Sequence, residues 1–249
     1  VDELRLTRLK IPSGELTNAP LILEHARTGC DLILSTGMAT LAEIEMALGI
    51  IAFGFIAPLE KKPTRLAFQE AYASVEGQAA LRRKVTVLHC TTEYPAPADE
   101  INLNVLETFN HAFGLNYGYS DHSEGIAVPI AAVAKGARLI EKHFTLDKDL
   151  EGPDHKASLE PEELTQMVNG IRVVEKALGS SLKVASPSEI KNKAIARKSL
   201  VSAKPIKKGE AFSVENLTVK RPGSGLEPIL FWDVLGTIAN RDYDEDELI

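Results

Sequence analysis

Tyr117-Gly-Tyr-Ser-Asp-His122, a helix-like segment, and then Leu139-Ile-Glu-Lys-His-Phe144 form the stretch from which the rest of the chain can be read. Both ends have the composition of buried β-strands, and the link between them is long enough for one helix. Two parallel strands joined in this way make a βαβ unit. Each strand runs into a histidine at its carboxyl edge, His122 and His143. In a parallel α/β barrel that edge carries the chemistry. Two imidazoles on neighbouring strands can share one divalent metal. A single histidine in an apolar strand is more often a core residue with a satisfied hydrogen bond. Two at corresponding strand ends, beside Ser120, Asp121 and Lys142, point instead to a site. His25, His89, His111 and His155 show no such correspondence.

The same strand–loop–helix grammar extends in both directions. Leu4 to Ile11 reads as a strand, followed by the loop Pro12-Ser-Gly-Glu15. Thr17, Asn18 and Pro20 announce a helix that Gly29 ends. Asp31 to Gly37 is a second strand and loop, and Thr40-Leu-Ala-Glu43 is a capping box that opens the next helix. The stretch from Ala52 to Leu81, with Pro58, Pro63 and Glu60-Lys-Lys62, reads as a less regular insertion with some helix, such as Leu66 to Tyr72. Val85 to Cys90 is a third strand. Its loop, Thr91 to Pro97, holds two prolines that stiffen the turn. Ile101 to Phe113 is helical, and a last long helix starts at Glu160-Pro161 and ends at Gly179.

Five such units in a row imply a parallel sheet. The fold expected is α/β, of the TIM (β/α)8 type, with only about five βα units present. An open five-stranded doubly wound sheet is the alternative. Character changes after Gly179. Residues 180–195 are polar, contain Pro187, and read as a linker. Residues 196–249 have the pattern of short strands and turns, with a turn at Lys207-Lys-Gly-Glu210 and a glycine-rich loop at Arg221-Pro-Gly-Ser-Gly225. The expected division is therefore 1–179, 180–195 and 196–249. A β-rich module of that size is small for an isolated core and should lean on another surface.

Composition excludes several classes. The 249 residues are 44% apolar, ample for one large core or for a core with a small module. Net charge is −7, basic residues are interspersed with acids, and aromatics are 6%, so neither a nucleic-acid surface nor a base-stacking platform is expected. Ala47 to Ala57 is the longest apolar run and falls short of the ~18 residues a membrane span needs. Cys30 and Cys90 are too few for a disulfide framework and suit buried thiols in a reducing cytoplasm. No signal peptide is evident. The chain starts at Val1 rather than methionine, as a fragment or processed chain would.

At the ends of successive strands lie Lys10 with Ser13 and Glu15; Ser35-Thr-Gly37; Thr91-Thr92 with Tyr94; Ser120-Asp-His122; and His143. In a parallel sheet these converge on one rim. One fixed cation with several hydroxyls and glycine amides suits a phosphate. Asp154, in Gly152-Pro-Asp-His155 just beyond the last strand, can reach a polyol, although Pro and Asp also make ordinary turns.

Lys10-Ile-Pro-Ser-Gly-Glu15, Leu34-Ser-Thr-Gly-Met38, Leu88-His-Cys90 with Glu93-Tyr-Pro95, Tyr119-Ser-Asp-His122, Glu141-Lys-His-Phe-Thr145, Gly152-Pro-Asp-His155 and Lys220-Arg-Pro-Gly223 occur in this order. The series closely resembles the bacterial sialic acid synthase family, over essentially the whole chain. That resemblance implies an enzyme joining an N-acetylated hexosamine to phosphoenolpyruvate, with release of phosphate. It implies a TIM barrel followed by an antifreeze-like (SAF) domain, in a homodimer where each SAF domain covers the partner's active site. It makes His122 and His143 ligands of a divalent metal, typically Mn2+ with Mg2+ or Co2+ as alternatives, and catalytic with it. Lys10, Ser13, Ser35, Ser120 and Thr92 would bind phosphoenolpyruvate, Thr92 at a position where relatives can carry asparagine. Glu15 would be the acid/base, Tyr94 and Asp154 would hold the sugar, and Arg221 would reach its N-acetyl group from the partner. The family's first three strands have no counterpart here, and a chain without them should not be active alone.

N-acetylmannosamine, giving N-acetylneuraminate, is the expected substrate. The alternative is its 2,4-diacetamido-2,4,6-trideoxy relative, giving N,N'-diacetyllegionaminate. Two other classes compete: a Schiff-base aldolase, for which Lys10 and Lys142 are the rim candidates, and a non-catalytic carbohydrate-binding protein.

Overall fold

A computed structural model describes residues 3–152 and 154–249. Two compact units emerge, Val1–Gly179 and Ser180–Ile249. The first is built on five strands: β1 (Arg8–Ile11), β2 (Asp31–Ser35), β3 (Val85–Cys90), β4 (Asn116–Asp121) and β5 (Ile140–Lys142). They lie in sequence order, every neighbouring pair parallel, as a half-barrel. The helices of this unit are α1 (Ala19–Arg27), α2 (Leu41–Ile56), α3 (Arg65–Ala73), α4 (Val75–Lys84), α5 (Val105–Phe113), α6 (Ala127–Ala134) and α7 (Pro161–Leu178).

Local signals set the boundaries. Asn18 caps α1 by accepting from the Leu21 amide at 3.3 Å. Thr40 and Glu43 form the capping box of α2. Gly114, in the left-handed region at φ 60°, closes α5. Two expectations are corrected in extent: the first strand starts at Arg8 rather than Leu4, and the fourth helix-forming stretch starts at Val105 rather than Ile101.

The stretch 52–81 is not an irregular insertion. Residues 52–56 continue α2, and the remainder is mostly α3 and α4. The reason lies in α2, where every residue from Ala47 to Phe53 is buried. A helix apolar on all sides must be covered on all sides. Neighbouring α1, α3 and α4 do this, with Phe53 and Phe68 meeting edge to face at 5.3 Å.

The pleat gives the sheet two chemically distinct faces. Ile11, Leu32, Leu34, Val85 and Val87 are buried in the main hydrophobic cluster with the helices. The register places Lys10, Ile33 and Thr86 level with one another on the other face, and likewise Cys90, Ser120 and Glu141. Asp121 and Lys142, which alternate with that second set, pair at 2.8 Å with their side chains almost fully buried. Asp121 also accepts from the Ser123 amide and hydroxyl, at 2.9 and 2.6 Å. Lys142 is thereby removed as a rim nucleophile, since its ammonium is locked in a buried ion pair facing away from Glu141. Asp121→Asn is expected to lower the unfolding free energy by about 3–5 kcal/mol, because it leaves Lys142 as an uncompensated buried charge. Urea unfolding of both proteins measures it.

In the second unit, β6 (Ser199–Ser202) and β7 (Leu217–Lys220) pair antiparallel around a core of Leu200, Ile206, Phe212, Leu217, Ala239 and Tyr243. The turn at Lys207–Glu210 closes with Glu210 N donating to Lys207 O at 2.9 Å. Before β6 stands α8 (Pro187–Ala196), and α9 (Phe231–Val234) follows β7. The stretch read as a linker therefore contains a helix. Pro187 occupies the first helical turn, where its missing amide costs nothing, behind a Ser186/Glu189 capping box.

Candidate active site

The site lies at the carboxyl edge of the half-barrel, on the face opposite the helices. Each histidine directly follows its strand, His122 after β4 and His143 after β5. Their rings stand 5.6 Å apart between centroids at 75°. His122 Nδ1 lies 2.7 Å from the Thr91 carbonyl, and His143 Nδ1 lies 3.9 Å from the Asp154 carboxylate. The Thr91 carbonyl is within hydrogen-bond distance of His122 Nδ1, the kind of partner that fixes a histidine tautomer and would leave Nε2 for an ion; Asp154 lies near His143 without a hydrogen bond. His143 is further held by Leu159 N donating to its carbonyl at 2.9 Å. The donor set fits one divalent cation with two protein ligands. Among the described residues no group of three or more His, Cys, Asp or Glu is arranged for a metal, so this chain would offer an ion the two histidines.

Tyr94 completes this cluster, stacked on His122 at 4.0 Å and edge-on to His143 at 5.4 Å. Burial raises its phenol pKa above the usual value, with the charges of Cys90, Asp154 and Glu141 adding to the effect. Ala96 N donates to the His122 carbonyl at 2.9 Å, which ties the proline-stiffened loop to the end of β4.

The second half of the site is a cup of hydroxyls. The Gly37 amide donates to Ser13 Oγ at 3.0 Å. A Cβ on Gly37 would come within 2.1 Å of Thr92 Oγ1 and 2.8 Å of Ser13 Oγ, so only glycine allows the three to converge. Cys90 sits beneath them. Burial raises its thiol pKa, with the neighbouring hydroxyls of Ser13, Ser120 and Thr92 and the charge of Lys10 acting the other way. Ser35 is buried, and its Oγ has no hydrogen-bond partner among the described residues. An orphaned buried hydroxyl is costly until a ligand meets it.

Lys10, Ser13, Ser35, Thr92, Ser120, Tyr94, His122, His143 and Asp154 all belong to the first unit and to this rim. Glu15 stands apart in its bonding: its carboxylate accepts from Asn18 of its own turn at 2.6 Å. Pro153 of the Gly152–His155 motif lies outside the described residues. Arg221 belongs to the second unit, exposed, with Nε donating to the Ala196 carbonyl at 3.0 Å.

Sequence reasoning left out Glu141. Its Oε1 accepts from Lys10 Nζ at 2.9 Å and from Ser120 Oγ at 2.6 Å. Burial pushes its pKa up, but the hydrogen bonds from Ser120 and Lys10, with the charges of Lys10 and His122, outweigh that and hold the carboxyl below the usual range. Its signal was present: it stands two residues before His143, on the same side of the strand.

Two histidines beside a lysine-and-hydroxyl cup at the carboxyl edge of a parallel α/β sheet are placed as in an enzyme of the barrel class. The chain belongs to the NeuB family, which matches residues 1–183, and residues 197–249 match the SAF domain. It is 49% identical over its whole length to the N,N'-diacetyllegionaminic acid synthase of Campylobacter jejuni, covering 67% of that protein. Identity to the N,N'-diacetyllegionaminic acid synthase of Legionella pneumophila is 40% over 94% of this chain and 60% of that protein. A crystal structure of the N-acetylneuraminic acid (sialic acid) synthetase from Leptospira borgpetersenii, in complex with citrate, aligns with TM-score 0.61 and 32% identity, covering 77% of this chain and 57% of that one. The chain thus spans about two thirds or less of the length of these relatives. Among the described residues no helix is long and apolar enough to cross a membrane.

Proposed function

We propose that this chain contributes the active-site edge of a nonulosonic acid synthase, which condenses phosphoenolpyruvate with the open-chain aldehyde of an acetamido sugar and water. The products are a nine-carbon keto acid and phosphate. The observation that carries the reading is the cup of Lys10, Ser13, Ser35, Thr92 and Ser120 beside the His122–His143 pair, on one edge of one sheet. The sugar proposed is 2,4-diacetamido-2,4,6-trideoxymannose, giving N,N'-diacetyllegionaminate. This is supported by the identity to two proteins named for that product, at 49% and 40%. N-acetylmannosamine is the second reading, favoured by the likeness to the Leptospira synthetase.

In this mechanism Lys10 supplies the fixed cation for the phosphate, and the hydroxyls and the Gly37 turn shape its pocket. Tyr94 and Asp154 hold the sugar over the histidine pair, and Glu15 exchanges protons with it. The methylene carbon of phosphoenolpyruvate attacks the aldehyde carbon, water adds at the phosphate-bearing carbon, and the tetrahedral intermediate expels phosphate. A divalent cation, Mn2+ foremost, held by His122 and His143 would polarise the aldehyde oxygen as a Lewis acid. A cytoplasmic homodimer with Arg221 serving the partner's site belongs to the same proposal.

Phosphate release by the full-length protein is expected only when phosphoenolpyruvate and an acetamido sugar are both present, with the trideoxy sugar preferred. Lys10→Ala removes a charge-assisted contact of about 1.5–3 kcal/mol, roughly a 10- to 150-fold fall in kcat/KM. Wild-type kinetics in that variant would mean the phosphate site lies elsewhere.

A further inference from the structure

We infer that Glu141 is a positioning residue that sets the phosphate cup by holding Lys10 and Ser120 on one carboxylate oxygen. The inference rests on the phosphoenolpyruvate reading of that cup. Lys10 comes from β1 and Glu141 from the segment of β5, the two outer strands of the sheet, while Ser120 comes from β4. The Lys10–Glu141 contact therefore spans the whole concave face of the half-barrel, joining residues 131 positions apart. Both bonds converge on the same Oε1, at 2.9 and 2.6 Å. Lys10 has a long flexible stem, and on an open rim its ammonium would sample many rotamers. Pairing with Glu141 uses one of its three donors and leaves two for an incoming anion. The Ser120 proton is likewise directed at Glu141, which fixes the rotor and orients the carboxylate in return. No other member of the cup described above ties β1 to β5.

Reach and charge can be separated by substitution. Glu141→Gln keeps the length and an acceptor oxygen and loses the charge. Glu141→Asp keeps the charge and draws the carboxylate back by one methylene, away from the point where Lys10 and Ser120 meet. The KM for phosphoenolpyruvate in the full-length protein is expected to rise tenfold or more in Glu141→Asp and Glu141→Ala, and to stay within threefold in Glu141→Gln. The KM for the sugar should change less than threefold in all three. A KM for phosphoenolpyruvate at or below wild type in Glu141→Asp overturns the inference, since the carboxylate then only competes with the phosphate. So does a loss in Glu141→Gln as large as that in Glu141→Asp, since its charge then matters as much as its place. The Asp and Gln pair keeps the comparison decisive if the alanine variant fails to fold. A wild-type protein that releases no phosphate overturns the functional reading itself. In that case calorimetric titration with inorganic phosphate applies the same test, with Glu141→Asp binding at least tenfold more weakly than Glu141→Gln. Equal binding would reject the positioning role.

Discussion

His143→Ala in the full-length protein is expected to lower phosphate release by at least ~100-fold and to leave less than one equivalent of divalent metal after dialysis. The variant keeps His122 as the single protein imidazole at the site. A pair whose rings stand 5.6 Å apart, with His122 Nδ1 already turned to the Thr91 carbonyl, can close on an ion from two sides, and one ring cannot. Polarisation by a bound cation contributes several kcal/mol to such a reaction, so its loss should exceed that of any single hydroxyl of the cup. Chelator should reproduce the defect in the wild type, and added Mn2+ should reverse it there but not in the variant. Full activity in chelated wild-type protein would remove the metal from the proposal.

Mixing an inactive Arg221→Ala chain with an inactive His143→Ala chain is expected to restore activity. If the SAF domain of one subunit covers the partner's barrel, each mixed dimer has one site with an intact histidine pair and an intact arginine. Random exchange makes half the dimers mixed, and one site in two then works, so recovery should approach roughly a quarter of wild type for a two-fold assembly. The motive is local. Arg221 is exposed in a glycine-flanked loop, and its guanidinium is a planar fork suited to an amide or hydroxyl of the sugar. The unit that carries it has a small apolar core around Leu200, Ile206, Phe212 and Leu217. No recovery despite proven subunit exchange would assign the arginine to its own chain or to no catalytic purpose.

Much of this molecule is legible in order along the chain. The strand ends at His122 and His143, the capping box at Thr40 and the closing glycine at Gly114 are short-range signals, and the structure places them where local chemistry demands. The fold class followed from repetition of those signals. Failures came where a residue carries two meanings. Pro187 breaks a helix in its interior but starts one behind a capping serine. The long apolar run of α2 looked irregular at its end because its covering helices, α3 and α4, lie further along the chain.

The site divides in the same way. Residue types and spacing alone determined which side chains reach the rim, because a parallel sheet delivers every strand end to one edge. Only the tertiary structure decided which of them face each other. Lys142 and Glu141 are adjacent in sequence, yet the pleat sends one into a buried pair with Asp121 and the other across the concave face to Lys10. That partition depends on register between strands far apart in the chain, and no local pattern encodes it.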